Sequence, residues 1–281
     1  MKINLAKSAG FCFGVKRAID IALKTASDSG RVYMLGDIVH NEDVVKEIRK
    51  AGIKRINRLG SGKNKVLLIR AHGISQANLK KAHKVGYKII DATCPMVRQI
   101  HRIAKKMEKK CRKIIVIGDK KHDEVLGIVG QLREKALIIE SLRCLPAGLI
   151  KKIKKACVIV QSTQDIEKVL KIVAVLKKNI PDLQFFNTIC MPTRMKQEEI
   201  RRIPQVNDLM LIIGSKNSAN TKRLYQISKR LNKRSYWINS PEDLARRWFK
   251  GIKSVGITAG ASTPESSIKK VINYIKRITK K

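Results

Sequence analysis

The residues Lys88-Ile-Ile-Asp91-Ala-Thr-Cys94-Pro95-Met96 decide how the chain is read: a short apolar run stops, a cysteine stands in the turn, and a proline opens a helical pattern. The helical pattern runs from Met96, so Cys94 sits at a strand-to-helix turn. The same situation recurs at Ala9-Gly-Phe-Cys12-Phe-Gly14 and at Asn187-Thr-Ile-Cys190-Met-Pro192. From each cysteine, the glycine ending the next strong apolar strand lies 24 residues on, at Gly36, Gly118 and Gly214. Those glycines open matching polar loops, Gly36-Asp-Ile-Val-His40-Asn41, Gly118-Asp-Lys-Lys-His122-Asp123 and Gly214-Ser-Lys-Asn-Ser218-Ala219, each with a hydrogen-bonding side chain four places after the glycine. A spacing kept three times marks tandem units, each supplying one thiol and one polar loop.

Working outward, strands alternate with helices. A strand at 2–6 runs into Cys12, after which Val15, Ala18, Ile19, Ala22 and Leu23 follow the one-face spacing of an amphipathic helix. A strand at 32–35 delivers the Gly36 loop, and a helix from 42 ends at Gly52, a residue suited to the left-handed cap. A strand at 66–69 ends in Arg70-Ala-His72-Gly-Ile-Ser75, then come a helix at 76–84 and a strand at 88–90. The second unit repeats the order with a helix at 96–110 and strands at 114–117, 137–139 and 158–160. The last of these ends in Gln161-Ser162-Thr163-Gln164, before a helix at 165–178 and a strand at 184–186. The third unit has strands at 209–213, 236–238 and 255–258, the last ending in Ala259-Gly-Ala-Ser262-Thr-Pro264. There Thr263 is the expected N-cap and Pro264 the expected first residue of the final helix. This alternation predicts α/β architecture with parallel sheets and ligands at the carboxyl ends of the strands. We expect three tandem, pseudo-threefold-related α/β units with small parallel sheets: 13–94, 95–190, and 191–281 completed by 1–12, forming a trefoil around a central cavity.

The 281 residues hold no apolar run near the roughly 20 that cross a bilayer, and the N-terminus lacks the apolar core of a signal peptide. The expectation is a cytoplasmic protein without membrane association. Six cysteines are too few and scattered for a secreted disulfide scaffold. The net charge of +39, from 61 basic and 22 acidic residues, raises a nucleic-acid hypothesis. The lysines, however, recur in pairs beside helical patterns from Lys80-Lys81 to Lys280-Lys281, as solvated helix faces do, and aromatics are only 4%, which leaves little for base stacking. A positive field instead suits anionic substrates and acidic partner proteins.

An isolated intracellular cysteine is usually a small buried apolar residue, and Cys111, Cys144 and Cys157 are read so. Cys12, Cys94 and Cys190 share a register, and three converging thiolates suit either an iron–sulfur cluster or zinc with one coordination position open. His40, His72 and His122 stand in polar loops with Ser162, Ser218, Asn220 and Ser262, as donors for an anion rich in oxygens such as phosphate or diphosphate. His83 and His101 fall within helices and read as surface or packing residues. Glu124 beside His122 has two readings, a proton-holding acid or a helix-start residue favoured by the dipole. Two other classes fit parts of this pattern: a zinc-dependent hydrolase of a phosphorylated metabolite, and a basic nucleic-acid-binding protein.

The blocks Gly10-Phe-Cys12-Phe-Gly-Val15, Val39-His40-Asn41, Ala71-His72-Gly73, Asp91-Ala-Thr-Cys94-Pro95, His122-Asp-Glu124, Gly214-Ser-Lys-Asn-Ser218 and Thr258-Ala-Gly-Ala-Ser262, in this order over the full length, resemble the 4-hydroxy-3-methylbut-2-enyl diphosphate reductase family of the non-mevalonate isoprenoid pathway. The resemblance implies an iron–sulfur oxidoreductase with a [4Fe–4S] cluster on Cys12, Cys94 and Cys190, one iron being left for the substrate. It implies that His40, His72, His122, Ser162, Thr163, Ser218, Ala219, Asn220 and Ser262 bind a small allylic diphosphate substrate. It further implies that Glu124, helped by Ser162, protonates the leaving hydroxyl, and that a ferredoxin or flavodoxin-type protein supplies electrons. The chain departs from the family at Asp123, where proline is usual, at Ser162 for threonine, and at Ala219 for serine.

Overall fold

The chain, seen in a computed structural model that describes residues 1–279, runs through twelve strands and ten α-helices in an order that repeats. The expected pair Lys280-Lys281 lies outside the described residues. The order opens with β1 (Lys2–Leu5), α1 (Phe13–Asp28), β2 (Val32–Leu35), α2 (Glu42–Lys50), β3 (Lys54–Ile56), β4 (Val66–Ile69), α3 (Gln76–Lys84) and β5 (Lys88–Asp91). It continues with α4 (Pro95–Lys109), β6 (Lys113–Ile117), α5 (Asp123–Val129), β7 (Leu137–Ile139), α6 (Ala147–Ile150), β8 (Lys155–Val160), α7 (Ile166–Asn179) and β9 (Asp182–Phe185). The last part is α8 (Met191–Arg202), β10 (Leu209–Ile213), α9 (Ala219–Leu231), β11 (Ser235–Ile238), β12 (Ser254–Ala259) and α10 (Glu265–Ile278).

The strands form three four-stranded sheets in the orders β3-β2-β4-β5, β7-β6-β8-β9 and β11-β10-β12-β1, every pair parallel. These are one topology written three times. β1, from the start of the chain, takes the edge place that β5 and β9 hold, Lys2 facing Ser254 and Leu5 facing Ile257. Each of these edge strands leads to one of the repeated cysteines.

Why the central strands read clearly follows from their burial. β4 and β10 are runs of Val, Ile, Leu and Met sealed on both faces, and β8 is sealed likewise from Ala156 to Val160 after an exposed Lys155, as parallel sheets between helices require. On β8, Val158 and Val160 face a core with Val169, Ile172 and Leu176 of α7, while Cys157 and Ile159 face Ile100, Ala104 and Met107 of α4. Each such aliphatic side chain withdrawn from water contributes about 1.5–3 kcal/mol.

Packing gathers the chain into two compact units. One, residues 17–38 and 48–190, contains the first two sheets; the other contains residues 1–16, 39–47 and 191 onward, with the third sheet. Two local expectations shift. The final helix begins at Glu265 with Pro264 as its N-cap, and the hydroxyl of Thr263 donates instead to the Ile213 carbonyl at 3.2 Å. β3 is a Lys-Arg-Ile edge strand with little burial, so it carries no apolar signal.

Candidate functional site

Three turns at the carboxyl ends of β4, β8 and β12 share one construction. Two residues beyond each strand stand Ala71, Ser162 and Ala261, whose carbonyls accept the backbone N–H of Cys94 at 3.0 Å, Cys190 at 3.1 Å and Cys12 at 3.1 Å. Each turn is closed by an i+3 bond: Gly73 to Arg70 at 3.0 Å, Gln164 to Gln161 at 3.1 Å, Thr263 to Gly260 at 3.0 Å. His72, Thr163 and Ser262 therefore occupy matching positions, each next to the residue that anchors a cysteine. The loop glycines match as well, Gly36, Gly118 and Gly214 donating to the last carbonyls of β3, β7 and β11, those of Ile56, Ile139 and Ile238.

Each repeated cysteine is half-buried and stands immediately before a helix, α1, α4 or α8. The backbone N–H groups at such an end favour a thiolate. The other three cysteines differ. Cys157 lies within β8, where burial pushes its thiol up to about 12, the behaviour of a packing residue. Cys111 and Cys144, expected to be buried, are exposed, because Cys111 falls in the turn after α4 and Cys144 ends a short 3-10 helix, both outside the sheets.

The residues four places after the glycines become caps. Ser218 accepts from Thr221 N–H at 3.3 Å to start α9, and His122 accepts at Nδ1 from Glu124 N–H at 3.1 Å to start α5. In the first loop the role passes one residue on, to Asn41, which accepts from Val44 N–H at 3.1 Å, so His40 is not the cap. These caps satisfy helix-end donors and fix the loop side chains by the backbone.

In the larger unit, Glu124 is 2% exposed and its carboxylate takes two bonds from one residue, Ser162 N–H to Oε1 at 2.6 Å and Ser162 Oγ to Oε2 at 2.7 Å. Burial drives its proton affinity up and the two Ser162 bonds draw it partly back, leaving the carboxyl above its ordinary range. His72 and His122 meet edge to face with ring centroids 5.6 Å apart. Thr163 accepts from the Gln161 amide at 3.0 Å. Arg70, two residues before His72, donates to Asp123, next to His122, at 2.7 Å. His101 is buried below this region, where desolvation and Lys105 bring it down to about 4, so it is neutral at ordinary pH. Its ring fills the space beside Gly73, where a Cβ would stand 2.8 Å away.

In the other unit, the hydroxyl of Ser262 donates to the His40 carbonyl at 3.1 Å, and Ser215 donates to Glu42 at 2.7 Å. Ala219 and Asn220 are buried in the first turn of α9, and both polar atoms of the Asn220 side chain lack a hydrogen-bond partner. A buried amide in that state points to a polar ligand, since leaving it unsatisfied costs about 1–3 kcal/mol. Lys196 of α8, 2% exposed, was not legible from sequence as a functional or structural group. Its ammonium donates to the carbonyls of Ser8, Gly10 (2.9 Å) and Ala259 (3.3 Å), while Glu199 accepts from Lys7 N–H at 2.6 Å and Ser8 N–H at 2.9 Å. The loop leading to Cys12 is thus fastened to α8.

The residues fit the two groups expected. Soft thiols held by one repeated backbone bond suit an iron–sulfur cluster. Capped helix starts with histidine, serine and an unsatisfied amide suit a polyanion.

A family model described as LytB protein matches residues 3–276. The 4-hydroxy-3-methylbut-2-enyl diphosphate reductase of Aquifex aeolicus (strain VF5) is 38% identical over 280 residues, covering 98% of this chain and 96% of that protein. The enzyme of the same name from Geotalea uraniireducens (strain Rf4) is 37% identical over 280 residues, covering 100% and 99%. Among solved structures, (E)-4-hydroxy-3-methyl-but-2-enyl diphosphate reductase, the terminal enzyme of the non-mevalonate pathway, superposes with a TM-score of 0.73 at 37% identity, over 99% of this chain and all of that one. The E-1-hydroxy-2-methyl-but-2-enyl-4-diphosphate reductase from Plasmodium falciparum gives a TM-score of 0.90 at 29% identity, over 98% of this chain and 88% of that one.

Proposed function

The chain belongs to the LytB protein family, and from that premise we infer that it reduces 4-hydroxy-3-methylbut-2-enyl diphosphate, removing the allylic hydroxyl to give isopentenyl and dimethylallyl diphosphates. The observation that carries the assignment of residues is the repeated bond of Cys12, Cys94 and Cys190 to three equivalent strand-end carbonyls. These three thiolates would hold a [4Fe–4S] cluster, each from one repeat, with repeat limits at 13–94, 95–190, and 191–281 with 1–12. When bound, the cluster would relay the two electrons that an external donor supplies and no side chain can provide, and would offer a Lewis-acidic iron.

The protein's own groups do the remainder. Burial holds the proton affinity of Glu124 above its ordinary range, and we assign its carboxyl the protonation of the departing hydroxyl oxygen. Ser162, gripping both carboxyl oxygens, fixes the direction in which that proton is presented. His40, His72, His122, Thr163, Ser218, Asn220 and Ser262, with the backbone N–H of Ala219, hold the diphosphate. Alanine at 219 keeps that N–H and gives up only a hydroxyl. Among the described residues no helix is long and apolar enough to cross a membrane. We place the reaction in the cytoplasm, with a small acidic electron-transfer protein of ferredoxin or flavodoxin type drawn to the basic surface.

The test is anaerobic incubation of the protein with the diphosphate substrate and an excess of chemical reductant, which supplies two electrons per turnover, and analysis of the products. Wild type should yield both five-carbon diphosphates, and Glu124→Gln should bind substrate but turn over roughly 10²–10⁴-fold more slowly. Release of inorganic phosphate or diphosphate without dehydroxylation would overturn the assignment.

A further inference from the structure

The loop after β4 and the helix α5 meet along a seam. At its far end the seam is closed by neutral bonds: Gln76 N–H to the Gly130 carbonyl at 2.9 Å, the Gln131 amide to the Ile74 carbonyl at 2.6 Å, and the Gln76 amide to Gln131 at 2.8 Å. In the middle, Gly127 comes so close to the loop that a Cβ there would lie 3.0 Å from the His72 carbonyl. At its near end stand the His72 and His122 rings, and around them the pair Arg70–Asp123, one partner just before His72 and the other just after His122. The guanidinium is 19% exposed and lies across Gly36, where a Cβ would come within 2.5 Å of Nη1.

We propose that the Arg70–Asp123 ion pair is a clamp that sets the separation of His72 and His122 and thereby the affinity of the site for a diphosphate. The proposal rests on the assignment of those two histidines to the diphosphate. An acidic residue beside an anion site is a liability by Coulomb's law, and its presence calls for a compensating role. Asp123 occupies the first position of α5, where proline would fix the backbone by itself. An ion pair with Arg70 fixes the same point from outside and keeps the local charge balanced. Arg70 and Asp123 are positioning residues, acting through the histidines.

The sign of one effect separates this role from simple electrostatics. Removing the negative charge of Asp123 should tighten binding of an anion if charge alone matters. The clamp predicts the opposite. Binding of inorganic diphosphate to the cluster-loaded full chain, measured by calorimetry, should weaken about tenfold in Asp123→Ala and in Arg70→Ala. The double variant should be no weaker than the worse single one, because the two act as a unit. Asp123→Asn, which keeps an acceptor oxygen for Arg70, should fall between wild type and Asp123→Ala. Should Arg70→Ala fold poorly, the two Asp123 variants suffice. Unchanged or tighter binding by Asp123→Ala, with His72→Ala and His122→Ala both weakened, would overturn the clamp alone. If the histidine variants bind as wild type does, the site assignment falls, and the clamp with it.

Discussion

A carboxyl group sealed from water holds its proton longer than one in solution, and Glu124 is that group here. Its folded proton affinity is raised by burial, so its contribution to stability is full below the ordinary carboxyl range near 4.5 and is lost as pH rises through the folded value. Glu124→Gln, which mimics the protonated acid, should therefore gain stability relative to wild type as pH increases toward neutrality. Denaturant titrations at several pH values check this, and a variant that loses ground instead would make Glu124 an ordinary satisfied anion. His101 runs the other way. Its folded value of about 4 lies below the ordinary 6.5, so its contribution is present above 6.5 and lost as pH falls toward 4. Wild type should lose up to about 3 kcal/mol more than His101→Leu across that interval, read from unfolding midpoints. Profiles that superpose would contradict the assignment. His40, His72, His122 and Glu124 could be picked out in sequence because they stand in repeated loops. His101 could not be placed so closely, because a histidine on a helix pattern reads alike whether it is exposed or sealed against two glycines.

Among the elements, α8 shows what sequence periodicity cannot reveal. Its buried residues are Thr193, Lys196, Gln197 and Ile200, so it carries a polar inner face where an apolar stripe would be sought. That face serves the loop from Lys7 to Gly10, and Lys196 is its centre. Lys196→Met should destabilise the protein by roughly 2–4 kcal/mol, since the carbonyls of Ser8, Gly10 and Ala259 would lose their donor. Equilibrium unfolding measures it, and a loss below about 0.5 kcal/mol, the size of an ordinary surface substitution, would mean that water replaces the ammonium. The strands were legible for the opposite reason: β4 and β10 are unbroken apolar runs, and β8 is one from Ala156 onward. β12 extends one residue beyond each end of the expected 255–258, while β9 starts two residues before the expected 184 and ends at Phe185, because backbone pairing does not stop where side chains turn polar.

At the scale of the molecule, three parallel sheets of one topology follow from a single spacing in the sequence, the 24 residues from Cys12, Cys94 and Cys190 to the next loop glycine. The matching carbonyls of Ala71, Ser162 and Ala261 could not be read there, because a backbone acceptor leaves no mark on residue type. The same holds for the division into two packed units, which depends on contacts between residues far apart in the chain. What the repetition supplies chemically is three thiols in one local setting. The direct test is iron and acid-labile sulfide per chain in protein purified without oxygen, for wild type and for Cys12→Ser, Cys94→Ser, Cys190→Ser and Cys157→Ser. About four of each are expected in wild type and in Cys157→Ser, with loss of most of both in each of the other three. Full cluster content in any of those three, or stoichiometric zinc in wild type, would contradict the account.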